Sequence, residues 1–501
     1  MTATTTTTEL PAAVETHVAS VPITTQLDLA PPLLPVEQVG PKGWVRVIFH
    51  FELSEDYDID HLTHLLQTSY KAMKARVPIA GCEAVPLQDS KQAGLFRLRY
   101  YGDEIEDFLA KDLRGDANFP SFSELKARGF PASALDPAIL CRRGLGGEWP
   151  QAGDRMNVTW LQATFIRGGL LLNLMYMHAY ADGTTAYKFT ELLAEEVRRA
   201  QGIPIPEPAE IPVEDRAKLL KSTGLRAGRP EDHAEYVELP FTPEGVPPKL
   251  AEPNHHGHIF YFSPESLAAL KKDASPSNAK LFKTKEGALP PYITTNDAIS
   301  ALLWRATMSA QQGPKFRSAT EDSTPSPSIV GIALDARRRA GVPVHKHTLG
   351  NILGFAPAIL DIREVIAEDS EVSLADLAIA VRQAVAKTEG AYLDSVTALV
   401  ERLQDVRRLT ATMFLDTPGN YMNQSSWRDF PFYDIQWGPA FGGKMLALRP
   451  PSVGVCHTMQ IVLPDPQRGG VEVYMGVLDE AMEALLKDPV LRKYAQAPEG
   501  L

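Results

Sequence analysis

One nine-residue run holds the residue types from which acid–base chemistry is built: Met-Tyr-Met-His-Ala-Tyr-Ala-Asp-Gly, residues 175–183. His178 ends an apolar run that reads as a strand, so the strand fixes its backbone while the ring faces a cleft. A neutral imidazole near its ordinary pKa removes a proton from a hydroxyl or thiol. Asp182, four residues on, either contacts the imidazole or braces the loop from behind. Gly183 is expected to supply a positive φ at the turn into the next helix. His-x-x-x-Asp is a common spacing, and its plain alternative is a loop histidine beside a solvated carboxylate.

The other groupings are weaker. Residues 438–445 (GPAFGGKM) fit GxxxxGK, but Met445 stands where a phosphate loop needs Ser or Thr for magnesium. His255-His256-Gly257-His258 lacks a nearby carboxylate or thiol to complete a metal set and reads as a solvated loop. Cys456 and His457 adjoin in an apolar strand, where neighbours face opposite ways, so they read as core. Trp304 reads as a core aromatic, and Trp427 as either core or pocket wall. Arg337–Arg339 reads by itself as a solvated strand end. Asn157 and Asn423 start glycosylation triplets that have no bearing on a cytosolic chain. No Ser or Cys stands out as a nucleophile, and no metal is expected.

These residues need elements to hold them. A chain of 501 residues exceeds the roughly 250–300 at which one core stops growing, so two domains are expected. Residues 1–41 read as a flexible tail becoming an extended lead-in. A domain over 42–210 follows, with strands at 43–53, 79–85 and 95–101, a helix at 59–77, loop and short helix at 112–154, a hairpin of 156–166 and 169–177, and a helix at 184–200. Proline-rich residues 211–257 read as a crossover linker. The second domain, 258–501, carries strands at 258–262, 329–334, 444–448, 453–463 and 470–477. Its helices are expected at 295–311, capped by Thr295 or Asn296, and at 373–388, 392–409 and 480–494. Strands mixed with helices in both halves make an α/β protein.

Composition bounds the partners. With 44% hydrophobic and 22% charged residues, the chain is neither disordered nor fibrous. A net charge of −12 repels phosphate backbones and argues against nucleic acid. Three scattered cysteines suit a reducing compartment. No apolar run approaches the roughly 20 residues of a membrane helix. The N-terminus has neither the basic nor the apolar region of a secretory signal. A cytoplasmic protein without a membrane partner is expected.

Residues 178–183 resemble the HxxxDG motif of BAHD-type CoA-dependent acyltransferases of plants and fungi. Further segments match in order. Residues 292–305 (YITTNDAISALLWR) resemble the family helix with its Asn-Asp and Trp-Arg pairs. Leu-Asp-Ala-Arg at 334–337 and Leu-Gly-Asn at 349–351 resemble the family's D-x-R strand and downstream Gly-Asn. Ser425-Ser426-Trp427 ahead of Pro431 resembles the acceptor-side segment. Residues 434–438 resemble DFGWG, with Ile435 for Phe and Gln436 for the middle Gly. Met177 stands where non-ribosomal condensation domains carry a first histidine. The likeness spans about residues 40–490, and fungal trichothecene-acetyltransferase-like members are the most similar in style.

The resemblance implies two chloramphenicol-acetyltransferase-like domains with the active site at their interface. It implies acyl transfer, acetyl above all, from acyl-CoA as co-substrate to a hydroxyl of a small natural product, in one ternary complex on a monomer. His178 is then the general base, and Asp182 the motif's second residue, structural and paired with Arg337. Gly183, Arg337, Asp434, Trp437 and Gly438 support the site, the DFGWG-like segment from a distance. Ser425 and Trp427 face substrate, and one of them donates to the oxyanion. The alternatives are a non-catalytic metabolite-binding protein of the same fold, or a His-dependent cyclisation or amide-forming enzyme.

Overall fold

A computed structural model describes residues 30–497, apart from 89, 102–106, 143–153, 246–253, 285–288, 319–323, 369–370, 453–458 and 466. Cys456 and His457 fall outside the described residues. The described chain opens with one helical turn, α1 (Pro35–Gln38), rather than the extended lead-in expected there. The reason is Glu37, which is buried and accepts from Leu34 N at 2.8 Å.

The first sheet is built on β1 (Trp44–Glu52), whose aromatic and β-branched residues suit a buried pleat. α2 (Ile59–Arg76) follows, capped by Asp58, which accepts from His61 N at 3.0 Å. It lays Leu62, Leu65, Leu66, Tyr70 and Met73 inward. β2 (Phe108–Asp112), β3 (Thr159–Ile166) and β4 (Gly169–Met177) are the other N-terminal strands of that sheet. The strands expected at 79–85 and 95–101 appear as Cys82–Pro86 and Phe96–Tyr100, which form a small separate sheet with Met156–Asn157. β3 and β4 form the expected hairpin, with Gly168 at φ +71° in its two-residue turn. α3 (Gly183–Ala200) returns from β4 and packs beside α2.

The second sheet begins with β5 (His255–Phe262), three residues earlier than expected. The His-His-Gly-His run is therefore strand, not loop: its register continues along a neighbouring strand and buries His255. α4 (Thr295–Ser318) is capped one residue earlier than expected, where Thr294 Oγ1 accepts from Asp297 N at 3.1 Å. β6 (Pro327–Asp335), β7 (Leu353–Asp361), α5 (Leu374–Lys387) and α6 (Tyr392–Arg402) come next. β8 (Tyr421–Ser426), β9 (Ala447–Arg449), β10 (Met459–Pro464) and β11 (Val471–Leu478) finish the strands.

The second sheet runs β7-β6-β8-β10-β11-β5, and the first runs β9-β1-β4-β3-β2. β9 thus comes from the far end of the chain and pairs antiparallel with β1 of the first sheet. Trp427, Phe432, Trp437, Phe441 and Leu448 share one apolar core with β1, β4 and α3. The second half is therefore not confined to its own sheet, and a single cut at 211–257 does not separate two cores. Among the described residues the fold is a mixed α/β arrangement of two large sheets, each covered by helices, and two small sheets of three and two strands.

Candidate active site

β4 is buried along its whole length between β1 and β3, which makes its end a rigid mount. His178 follows directly, and its N–H donates to Gly43 O at 2.8 Å. The residue is half-buried. Its Nδ1 is enclosed without a partner of ordinary geometry, and Nε2 is the nitrogen on the accessible side. Burial lowers the imidazole pKa below its usual value, while the residue's own carbonyl and the Asp182 charge pull the other way. The outcome is a neutral ring. In the tautomer that carries its proton on the enclosed Nδ1, the Nε2 lone pair is free to accept a proton.

Asp182 is turned to other partners. It accepts from Arg337 Nη1 at 2.7 Å, Arg337 Nη2 at 3.1 Å, Ile352 N at 2.9 Å and Thr185 N at 3.0 Å. Its carboxylate is thus the N-cap of α3 and half of a buried ion pair at once. Among the described residues it makes no hydrogen bond to His178. Arg337, fully buried, also donates from Nε to Thr348 O at 2.9 Å and from Nη1 to Asp335 Oδ1 at 3.0 Å. Burial opposes its charge, yet Asp182 and Asp335 hold its pKa above the ordinary value. Arg337 follows β6 of the second sheet, so the pair bolts the histidine loop to the other half of the molecule.

Gly183 does not have the positive φ expected of it; it is the first residue of α3. Its missing side chain serves a close approach instead. A Cβ there would meet the Phe430 ring at 2.8 Å and Trp427 Nε1 at 3.8 Å. The Ser425–Trp427 segment is thereby brought against the histidine loop. Trp427 is buried, stacks on Phe432 with centroids 5.9 Å apart, and donates from Nε1 to Ser425 Oγ at 3.2 Å.

The DFGWG-like segment lies at the opposite end of α3, an 18-residue helix, about 27 Å long. Gln201, its C-cap, donates to Trp437 O at 2.7 Å and accepts from Ala440 N at 3.0 Å. Trp437 is fully buried edge-on to Phe51, with centroids 5.0 Å apart. Gly438 has φ +85° and closes a turn in which Gly443 N donates to Gly438 O at 3.0 Å. Gln436 points to solvent, so the turn does not need a glycine there. The GPAFGGKM run is this turn, with no helix at its end to receive phosphate. The Asp434 side chain is 83% exposed, with Lys444 Nζ 3.9 Å from its carboxylate.

A second buried ion pair has no signature in the sequence. Arg216 donates from Nη1 to Glu37 Oε1 and from Nη2 to Glu37 Oε2, both at 2.9 Å. Glu37 also accepts from Asn351 N at 3.0 Å, and Arg216 donates to Leu349 O at 2.8 Å. Gly350, between those two residues, accepts from Thr185 Oγ1 at 2.7 Å. The Leu-Gly-Asn turn is thus clamped from both sides. Nothing in the spacing of Glu37 and Arg216 pairs them; only the burial of both charges does. Among the described residues no group of three or more His, Cys, Asp or Glu is placed to hold a metal.

With this geometry in place, the chain matches the model of the transferase family over residues 150–491 and that of the trichothecene 3-O-acetyltransferase-like N-terminal domain over 44–196. It belongs to that transferase family, as an acyltransferase of the BAHD type. The O-acyltransferase pigD of Monascus ruber is 27% identical over 469 residues, covering 91% of this chain and 96% of that protein. The enoyl-CoA isomerase/hydratase claC of Penicillium crustosum is 24% identical over 477 residues, and the chain, 93% covered, spans 51% of that longer protein. Among solved structures, Fusarium graminearum TRI101 complexed with coenzyme A and deoxynivalenol superposes with a TM-score of 0.75 at 20% identity, covering 93% of this chain and 99% of that one. That likeness is one of fold.

Proposed function

We propose that this chain is a CoA-dependent O-acyltransferase that acetylates a hydroxyl of a small natural product of fungal secondary metabolism. The observation that carries the reading is His178, a neutral ring with Nε2 free, mounted at the end of a buried strand. The solved structure that holds coenzyme A together with deoxynivalenol supports the substrate pair. All residues the transfer uses lie on one chain, so a monomer suffices.

In the proposed mechanism, His178 Nε2 takes the acceptor hydroxyl proton as that oxygen attacks the thioester carbonyl. The new C–O bond forms, and negative charge gathers on the former carbonyl oxygen. Ser425 is the better placed donor: Trp427 Nε1 already donates to its Oγ, which leaves the Ser425 O–H to point at an oxyanion. Collapse breaks the C–S bond, and the CoA thiolate takes the proton back from His178. Asp182 and Arg337 position the loop and carry no proton. No acyl-enzyme and no metal are needed, because a thioester is already activated.

The test incubates purified protein with acetyl-CoA and a fungal extract rich in hydroxylated metabolites, following free thiol and acetylated masses. Acceptor-dependent thiol release by the wild-type protein, lost in His178→Ala, is expected. Equal release by both proteins overturns the assignment.

A further inference from the structure

Outside the histidine site, the fold assembles a constellation that no sequence spacing reveals. The crossover segment, β7, α5 and α6 enclose a cavity of about 560 Å³. His233, Glu235 and Ser395 all line it, and no residue of the 175–185 loop does. His233 Nδ1 lies 2.8 Å from Glu235 Oε1, and His233 Nε2 lies 2.9 Å from Ser395 Oγ. A carboxylate on Nδ1 makes that nitrogen the donor and leaves Nε2 to accept the Ser395 hydroxyl proton. These are the roles of an orienting acid, a base and a nucleophile. All three side chains are buried from bulk water yet border the cavity.

Two further features fit the same chemistry. Ser395 lies in the first turn of α6, where side chains lean toward the helix N-terminus. The N-cap, Ala391, gives that terminus no side-chain cap, so the first-turn N–H groups are not consumed by one. Ser395 N itself donates to Ala391 O at 3.1 Å, so an oxyanion at the nucleophile would draw on the N–H groups of the residues before it. The cavity also carries a small cationic excess: Arg226, Arg229 and Lys387 line it against Asp232 and Glu235. Arg226 Nη2 lies 3.6 Å from where a Cβ of Gly390 would stand, one residue before that N-cap.

We propose that Ser395, His233 and Glu235 form a second reaction centre, which hydrolyses esters that carry a negatively charged group. Ser395 Oγ attacks the ester carbonyl while its proton passes to His233 Nε2. The C–O bond to the alcohol breaks, and the alcohol leaves with that proton. Water then attacks the acyl-serine with His233 again as base, releasing the carboxylic acid and restoring Ser395. Water is the only co-reactant. This centre is independent of the transfer proposed for His178.

The experiment treats the full-length protein with diisopropyl fluorophosphate and maps the adduct by peptide mass spectrometry. Ser395 Oγ displaces fluoride, so one phosphorylated peptide containing Ser395 is expected, formed at equal rates in wild type and His178→Ala. Ser395→Ala is expected to take up none there, and His233→Gln to react at least about 100-fold more slowly. A parallel assay with p-nitrophenyl hemisuccinate and p-nitrophenyl acetate is expected to show turnover that favours the charged ester, survives His178→Ala and is lost in Ser395→Ala. A folded wild-type protein without an adduct at Ser395 overturns the proposal, as does labelling unchanged by His233→Gln. Loss of thermal stability in Ser395→Ala with no labelling of wild type identifies the relay as a structural pin.

Discussion

The base role proposed for His178 requires three conditions at one residue: a fixed backbone, a neutral ring and one open nitrogen. The strand end supplies the first, burial the second, and the enclosure of Nδ1 the third. His178→Ala is expected to lower kcat by about 10²–10⁴-fold with the fold intact, since that is the usual range for general-base catalysis. Steady-state rates and circular dichroism of the purified variant check this. The pH dependence follows from the same burial. Only the neutral ring accepts a proton, so kcat/KM falls on the acid side as His178 protonates. Burial places that limb below the ordinary histidine value of about 6.5. Asp182 raises the His178 pKa, so Asp182→Asn is expected to move the limb to still lower pH in whatever active protein remains. A limb that moves upward sinks this account. At this scale the motif residues were legible, because His178, Asp182 and Arg337 stand in recognisable local patterns. Glu37 with Arg216, and Ser395 with His233, were not: their partners lie far apart in the chain, and only folding brings them together.

At the scale of elements, α3 is the part that transmits order to the site. Asp182 caps its first turn and binds Arg337, while Gln201 ties its last turn to Trp437. Removing one partner of a buried ion pair costs about 3–5 kcal/mol, because the other charge is left uncompensated. Asp182→Asn and Arg337→Met are each expected to lower the denaturant midpoint and the activity together. The double variant should lose less stability than the two single losses added, since the pair goes together. Strict additivity in denaturant titrations rules out the clamp. The strands that reading the sequence missed have physical explanations. β7 contains Pro357, which argues against a strand, yet β7 is an edge strand and can leave a donor out. β8 is polar in sequence, with buried Asn423 and Gln424, so no alternation of apolar residues marks it. The hairpin of β3 and β4 was legible because both strands are apolar and the turn holds a glycine.

Across the whole molecule, the chain visits the two sheets in an interleaved order. β8 lies in the second sheet, the next segment fills the first core and ends in β9, and β10 returns to the second sheet. Composition and periodicity show how many elements there are, but not which sheet a short strand joins, so β9 was expected with its sequence neighbours. The interleaving makes the two layers mechanically dependent. Trp437 is the sharpest place to test this, being fully buried against Phe51 of β1 while its flanking chain runs on into the second sheet. Trp437→Ala is expected to cost about 3–5 kcal/mol, as large-to-small core changes involving aromatics do. If the layers were independent domains, calorimetry would show two transitions, and only the one containing β1 would move. With the interleaved chain, loosening the Trp437 segment also releases the anchors of β8 and β10. A single transition that shifts down as a whole is therefore expected, with activity lost in parallel because α3 loses the tie at its C-terminal end. Two transitions of which one stays in place would show that the sheets unfold separately, and the interleaving would then have no energetic consequence.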